Sequence, residues 1–529
     1  LIAFSIVLAQ QPIVTGEDPR YPGSTGNYEN TTYDTTSLKM ARERAIEANV
    51  AMESPIDENE YLMGPGDIIT LSISTTKPLQ FELPVTPDAK IIIPTIGEVN
   101  VRDKTLFEIK KSISSTINKI YKADVAVSLK KIRQFKVYII GAGPCGYFAA
   151  LQLIRHGIKP ILLERGKDVR DRRRDLKAIQ QFGIVNEDSN YCFGEGGAGT
   201  YSDGKLTSSI HRVDIDYFFS RLVEIGANER RLFESKPHVG SDVLREVVKN
   251  IRMFIERSGS SVRFSTRADD FSIEGVKINV KTPRGEFCAD ELILAIGHSA
   301  RDTYEMLSDK MILEKKGFAV GSRIEHPAEF INKSQYGRFS EFMSAADYKL
   351  VFNNPKTGRG VYSFCMCPGG FVVNSSSEEK MLCVNGMSNS ARDAELSNSA
   401  VVVSVKPEDV SGGALEAVEF QRKIERSAFI DKFKAPSVRA RDFLLNRTSK
   451  SLPKNSYRNG CVSSDFAVIF PEFIVSEMKA GLRRFDSMIR GFSEEGFLIG
   501  TETRTSSPVR IKRTKEMTAE GFSNVYPVG

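Results

Sequence analysis

The chain has 529 residues, of which 41% are hydrophobic and 26% charged, the composition of a globular protein with apolar material for two or three cores. Its formal net charge is only +6, from 73 basic and 67 acidic residues, which argues against a nucleic-acid-binding protein. Seven cysteines at irregular spacing, none before Cys145, argue against a secreted disulfide framework and suit reduced thiols in the cytosol.

Leu1–Gln10 (LIAFSIVLAQ) is apolar and reads as the end of a secretory signal with Val7-Leu8-Ala9 as a cleavage-like site, or as a random apolar end. It is too short to span a bilayer, and no later run reaches the roughly 18 apolar residues a spanning helix needs. The rest of 1–57 is polar linker, with one helix expected over Ser37–Met52. Within 58–134 the alternation of Ile68–Ile73 predicts a half-buried strand. Lys90–Pro94 and Gly97–Val101 predict two more strands, and Val125–Leu129 another. Thr105–Tyr121 has helical spacing, with Leu106, Ile109, Ile113, Ile117 and Ile120 on one face. This small β-rich module carries Tyr61-Leu62-Met63-Gly64-Pro65-Gly66-Asp67, Val85-Thr86-Pro87-Asp88 and Pro94-Thr95-Ile96-Gly97-Glu98-Val99. On those residues it resembles the N-terminal domain of bacterial polysaccharide export proteins. The resemblance implies a periplasmic setting and contact with polysaccharide export machinery. Ala89 stands where that family usually has glycine after Pro-Asp.

At Phe135 the pattern changes. Phe135–Ile140 predicts a buried strand, followed at once by Gly141-Ala142-Gly143-Pro144-Cys145-Gly146, a helical stretch to Gly157, the strand Ile161–Leu163, and Glu164. Strand, glycine loop with Pro144 at the helix head, helix, and an acid about 20 residues on form a dinucleotide fingerprint. Gly141 permits the turn, Gly143 admits a diphosphate, and Gly146 brings helix and strand together. The helix head supplies amides and partial positive charge. Glu164, with Arg165 beside it, is expected to meet the adenosine ribose, which disfavours NADP but leaves FAD and NAD open. Basic residues cluster over Arg165–Arg174 and read as a solvated helix face.

A second glycine loop, Phe193-Gly194-Glu195-Gly196-Gly197-Ala198-Gly199-Thr200, lets backbone lie against a flat ring or phosphate and favours FAD. Val262–Phe264, Val276–Lys281 and Gly285–Ala289 read as a meander. Glu291–Gly297 reads as an apolar strand that returns the chain to the cofactor domain, ending in Gly297 near His298 and Arg301. The fold class expected is α/β: a Rossmann-type, glutathione-reductase-like FAD-binding domain from 135–300 and 490–529. An α+β substrate domain, 301–489, is inserted, and the chain rejoins through Gly496–Gly500. Candidate chemistry rests on His326 as proton donor, with Arg323 and Arg504 as anion binders and Arg510 as a cofactor contact. Cys365 and Cys367, spaced CxC rather than CxxC, read mainly as packing, and His238 as a hydrogen-bonded histidine. No metal-ligand spacing, P-loop or nucleophile elbow occurs.

Residues 135–529 resemble the bacterial FAD-dependent dehydrogenases, also termed NAD(FAD)-utilizing dehydrogenases. The residues that carry this are Lys236–Asp242, Gly321–Pro327, Phe364–Gly370, Asn385–Asp393 and Glu502–Arg510. The resemblance implies bound FAD, a small-molecule substrate and, by analogy, NAD(P)H as donor. In that family an acid, more glycines and a helix follow a stretch like Asn524–Gly529, so a chain ending at Gly529 is expected to hold FAD weakly. The two resemblances meet inside one strand at Phe135, and both a natural fusion and a splice of two genes fit. They also imply opposite compartments, cytoplasm for the larger part and periplasm for the smaller.

Overall fold

The structure, a computed structural model, describes residues 58–131 and 136–528 except 60, 62, 76–77, 87, 103, 122, 203, 205–219, 221–222 and 224–237. The expected signal-like end and the helix over Ser37–Met52 lie outside the described residues, as does the junction at Phe135. The chain divides into two units, Tyr21–Phe135 and, from Lys136, the remainder of the described chain.

In the smaller unit, β1 (Ile68–Ser74) alternates buried and half-buried positions and pairs antiparallel with β2 (Leu79–Pro84) and β5 (Asp124–Lys131). A hairpin, β3 (Lys90–Ile93) with β4 (Gly97–Asn100), and helix α1 (Leu106–Tyr121) complete it. Thr105 and Glu108 form a reciprocal cap at the head of α1, Thr105 N donating to Glu108 Oε2 at 2.8 Å and Glu108 N to Thr105 Oγ1 at 3.3 Å. Leu106, Ile109, Ile113 and Ile117 are buried, but Ile120 is 56% exposed because it belongs to the final turn, beyond the sheet's cover. β2 carries no clear alternation signal in the sequence, since most of its positions are exposed. Asp67 explains the Gly64–Asp67 turn: its buried carboxylate accepts Gly64 N at 2.8 Å and Tyr61 Oη–H at 2.9 Å.

The larger unit is built on two sheets. In the first, all strands are parallel: β6 (Val137–Ile140), β7 (Ile161–Leu163), β8 (Ser261–Arg263), β12 (Glu291–Leu294) and β24 (Val525–Pro527), in the order β24-β12-β6-β7-β8. Helices α2 (Pro144–Arg155), α3 (Val169–Phe182) and α4 (Ser241–Arg257) supply crossovers. The expected meander needs correction. Its first strand, β8, is the edge of the parallel sheet, and the meander proper is β9 (Asp270–Glu274), β10 (Lys277–Thr282) and β11 (Gly285–Ala289). Three residues are too few for periodicity to tell one sheet from another.

Helix α5 (Arg301–Ser308) follows, then β13 (Leu313–Lys315), which pairs with β23 (Val509–Ile511). The second large sheet has β14 (Phe318–Pro327) near its centre, with β15 (Val351–Asn353), β16 (Gly360–Cys367), β19 (Leu396–Val405), β20 (Ala435–Arg439), β21 (Cys461–Ser463) and β22 (Phe497–Glu502). A separate hairpin joins β17 (Phe371–Asn374) and β18 (Val384–Met387). Helix α6 (Ala414–Ser427) packs near β13, and α7 (Glu472–Met488) lies on the sheet so closely that a Cβ on Gly481 would stand 2.4 Å from Val361. The run Gly496–Gly500, expected to rejoin the cofactor domain, instead enters β22 at Phe497, paired with β14 and β20. The chain crosses back only after Glu502, through β23 to β24. A six-residue apolar run reads the same in either sheet.

One departure in the smaller unit is testable. Ala89 takes φ +61°, the left-handed region that favours glycine. Ala89→Gly relieves about 1–2 kcal/mol of backbone strain against about 0.4–1 kcal/mol of added unfolded-chain freedom. Thermal unfolding of this unit should therefore show a net stabilisation of about 0.5–1 kcal/mol.

Candidate functional site: the paired glycine loops

Strand β6 is buried along its whole length between β12 and β7, and Gly141 follows it at φ +105°. A Cβ on Gly141 would stand 2.3 Å from the Ala295 carbonyl oxygen at the end of the neighbouring chain segment, and one on Gly146 only 2.0 Å from Gly141 O. Both glycines are therefore required by packing. Gly143 differs: its backbone is ordinary (φ −76°, ψ −176°), and a Cβ there would meet only Gly197 Cα, at 3.9 Å. Pro144 opens α2, no side chain caps it, and its first turn holds no acid. The first-turn amides of a helix have no intrahelical acceptor and carry partial positive charge. This open, uncapped helix head beside a sterically idle glycine fits the diphosphate of a dinucleotide.

Two buried ions shape the site. The Glu164 carboxylate accepts Ala142 N and Gly166 N, each at 2.8 Å, and Gly194 N at 2.9 Å, so it ties the first glycine loop, the β7–α3 link and the second glycine loop together. A carboxylate has about four acceptor positions, and one on Oε2 remains. Arg172 is fully buried and donates to four carbonyls: Asn190 O (2.7 Å), and Tyr191, Glu195 and Gly197 O (each 2.9 Å). Burial lowers its pKa from the ordinary arginine value. The basic run is thus not wholly a solvated face. Arg172 shares the buried stripe of Val169, Leu176 and Ile179, and an arginine at apolar spacing is the signal that marks it. Glu195 accepts Arg252 Nε at 2.8 Å and Val169 N at 2.7 Å.

The second loop turns at Gly196 (φ +76°), whose amide donates to Ala142 O at 2.8 Å, and Gly197 and Gly199 press on Gly143 and Pro144. The Thr200 hydroxyl donates to Glu195 O at 2.7 Å and so pins the turn itself. Gly141, Gly143, Pro144, Gly146, Glu164, Gly196, Gly197, Gly199 and Thr200 are brought together. Arg165 lies beside them, bonded to Asp188 and Asp302 and stacked 4.3 Å over Phe193. Gly297 sits past the end of β12 at φ +70°.

Other candidates lie elsewhere. Arg510 is solvent-facing in an ion pair with Glu314. Arg323 is enclosed in the seven-stranded sheet, bonded to Glu502 at 2.9 Å, Asn398 and Cys365 O. His326 is 1% exposed, with Nε2 on Phe492 O at 2.8 Å, and burial holds its pKa down to about 4. The alternation placing Arg323 and His326 on opposite faces holds, but both faces are covered, so neither side chain opens on a cleft. Arg504 does not converge with Arg510. It meets Glu425 at 2.9 Å and Ser377, and Arg301 pairs with the same Glu425 at 2.8 Å and with Glu378 at 2.6 Å. This cluster joins α5, α6 and the segment after β22. His298, partly buried beside it, has its pKa held at about 4 by burial and by the charges of Arg504 and Arg301. Cys365 sits in a bulge of β16 at φ +43°, and Cys367 is buried against Arg323. His238 Nε2 lies 3.2 Å from Ser388 Oγ.

A model of an FAD binding domain matches residues 134–178, and one described as FAD-dependent protein, C-terminal domain-like, matches 317–505. A polysaccharide biosynthesis/export protein model matches 56–130. A Clostridium beijerinckii protein described only as uncharacterized is 43% identical over 406 residues, 74% of this chain and 75% of that one. The chain belongs to the family of this Clostridium protein. It carries an FAD-binding domain, an FAD-dependent-protein C-terminal domain and an export-type domain. Monomeric sarcosine oxidase of a Bacillus species is 21% identical over 262 residues, 42% of this chain and 66% of that enzyme. The crystal structure of tetracycline destructase Tet(51) aligns over 75% of this chain and 74% of that one, with 12% identity and a TM-score of 0.31. No helix among the described residues is long and apolar enough to cross a membrane.

Two outcomes follow. Arg172→Met strands four buried carbonyls, at about 1–3 kcal/mol for each that water cannot reach. Urea unfolding should show a loss of at least about 3 kcal/mol, and flavin retention should fall with it. For His326, the unfolded chain takes up a proton near pH 6.5 that the folded chain refuses until about pH 4. Stability is therefore present above pH 6.5 and declines as pH falls through that window, by roughly 1.4 kcal/mol per unit from this group. His326→Gln should flatten the decline in unfolding free energy measured across the same range.

Proposed function

We propose that residues 136–528 hold FAD with its diphosphate at the head of α2 and act on a small-molecule substrate as an NAD(FAD)-utilizing dehydrogenase. Gly143 carries this reading. Among the described residues nothing requires glycine there: it is the N-cap of α2, no side chain caps that helix, and the nearest atom to a Cβ on it would be Gly197 Cα at 3.9 Å. The first-turn amides of α2 hold the diphosphate, and the remaining acceptor position on Glu164 takes an adenosine ribose hydroxyl. The turn from Gly196 to Thr200, without side-chain bulk at three of its positions, lies along the cofactor. When bound, the flavin supplies hydride or electron transfer, and the protein's part is to position it and exclude water. Glu164 and Arg172 do this by holding the loops rigid. A nicotinamide nucleotide as electron donor follows by analogy alone.

A second reading attaches to the smaller unit, whose match to the polysaccharide biosynthesis/export model supports a docking role in export machinery. Cell fractionation with an antibody to each unit distinguishes the two settings.

Substitution at Gly143 separates binding from folding. Gly143→Ala introduces no clash under 3.9 Å and should leave unfolding within about 0.5 kcal/mol of the parent. It should nonetheless weaken FAD binding by at least about tenfold, measured by fluorescence titration of the stripped protein. Gly146→Ala, whose Cβ meets backbone at 2.0 Å, should lose stability and binding together. Unchanged affinity in Gly143→Ala rejects the placement.

A further inference from the structure

A cleft of about 240 Å³ lies between the C-terminal end of α3, the β17–β18 hairpin and residues 456–459. It is separate from the glycine loops, but α3 joins the two: Arg172 pins the second loop, and Gln180, eight residues on, lines the cleft. At 1.5 Å per residue the two positions are about 12 Å apart along the helix.

Two polar groups of its wall are unfinished. Asn374 is 1% exposed, its Oδ1 accepts Ser376 N at 3.1 Å, and its Nδ2 has no hydrogen-bond partner among the described residues. A buried amide donor left without an acceptor is costly, so its retention points to an acceptor that arrives with a ligand. Arg458 lies at the mouth and is exposed, with Gln180 Oε1 at 3.5 Å and no carboxylate opposite it among the described ion pairs. Among the described residues that line the cleft none is acidic, while Phe371 and Met387 give it an apolar wall. A single cation balances a single negative charge, which favours a carboxylate over a phosphate dianion. The volume falls below the roughly 300–1,000 Å³ of drug-sized sites and suits a single ring or short chain.

We propose that this cleft binds a small monocarboxylic acid with an apolar body, its carboxylate between Arg458 and the Asn374 amide and its body against Phe371 and Met387. This goes beyond the flavin assignment and does not depend on it.

The test uses the full chain as purified, titrated calorimetrically with benzoate and with benzamide as the neutral isostere. Benzoate should bind at least about tenfold more tightly than benzamide, the factor expected for one charge-assisted contact. Arg458→Gln, an exposed substitution compatible with folding, should remove that preference. Asn374→Leu should weaken benzoate by a similar factor but also lower Tm, because it strands the buried Ser376 amide that Oδ1 accepts, so Arg458→Gln is the variant that separates binding from folding. The proposal is overturned if benzoate fails to bind at millimolar concentration. Binding that is indifferent to Arg458→Gln overturns it too, as does inorganic phosphate displacing benzoate with equal affinity.

Discussion

The larger unit depends on one buried carboxylate. Glu164 stands at the end of β7 and collects amides from three segments that are far apart in sequence, at 2.8–2.9 Å. Removing it would strand three donors in a place water cannot reach, and both glycine loops would lose their common anchor. Arg172 is its counterpart of opposite sign. It gathers carbonyls as Glu164 gathers amides, and the two ions hold the second loop from both sides. Loop backbone cannot ordinarily be buried because its polar groups go unpaired. Here side-chain ions satisfy those groups, so a glycine-rich, side-chain-poor surface can be rigid.

That rigidity explains which glycines are structural. Gly141 and Gly146 are forced by backbone oxygens at 2.3 and 2.0 Å, so they belong to the fold before any ligand arrives. Gly143 is not forced: the nearest atom to a Cβ there would be Gly197 Cα at 3.9 Å. Farther along, Glu425 shared between Arg301 and Arg504 joins α6 to α5 and to the segment after β22. Arrangement around one carboxylate with two guanidiniums favours the ionised form, and the Glu425 carboxyl is held well below its ordinary range despite burial. The two sheets are thereby stitched by charge as well as by apolar contact.

Much of this was legible in the sequence, for identifiable reasons. The β6–loop–α2–β7 unit and Glu164 are local, and each residue type in it answers to a steric or electrostatic need that spacing alone reveals. The export-type unit was legible in the same way, down to Ala89, whose odd position reappears as a strained backbone. What was not legible is non-local. The pairing of β22 with β14 and β20 is not legible, because an apolar run does not name its neighbours. Arg323 and His326 looked like chemistry because polar residues on a strand usually face a cleft or water. In β14 both faces are covered, and their partners, Glu502 and Phe492, come from more than 160 residues away. Arg172 was hidden in a run of surface arginines, although its register with Val169, Leu176 and Ile179 set it apart.

The central claim is that α2 presents its head to the diphosphate of FAD, with Glu164 and Arg172 fixing the loops around it. An experimental structure of the chain with FAD bound tests this most directly. Diphosphate oxygens are expected about 2.7–3.2 Å from first-turn amides of α2, over Gly143, with Glu164 still holding its three amides. A diphosphate located away from that helix head, or a Glu164 side chain that has left the loops, would contradict it.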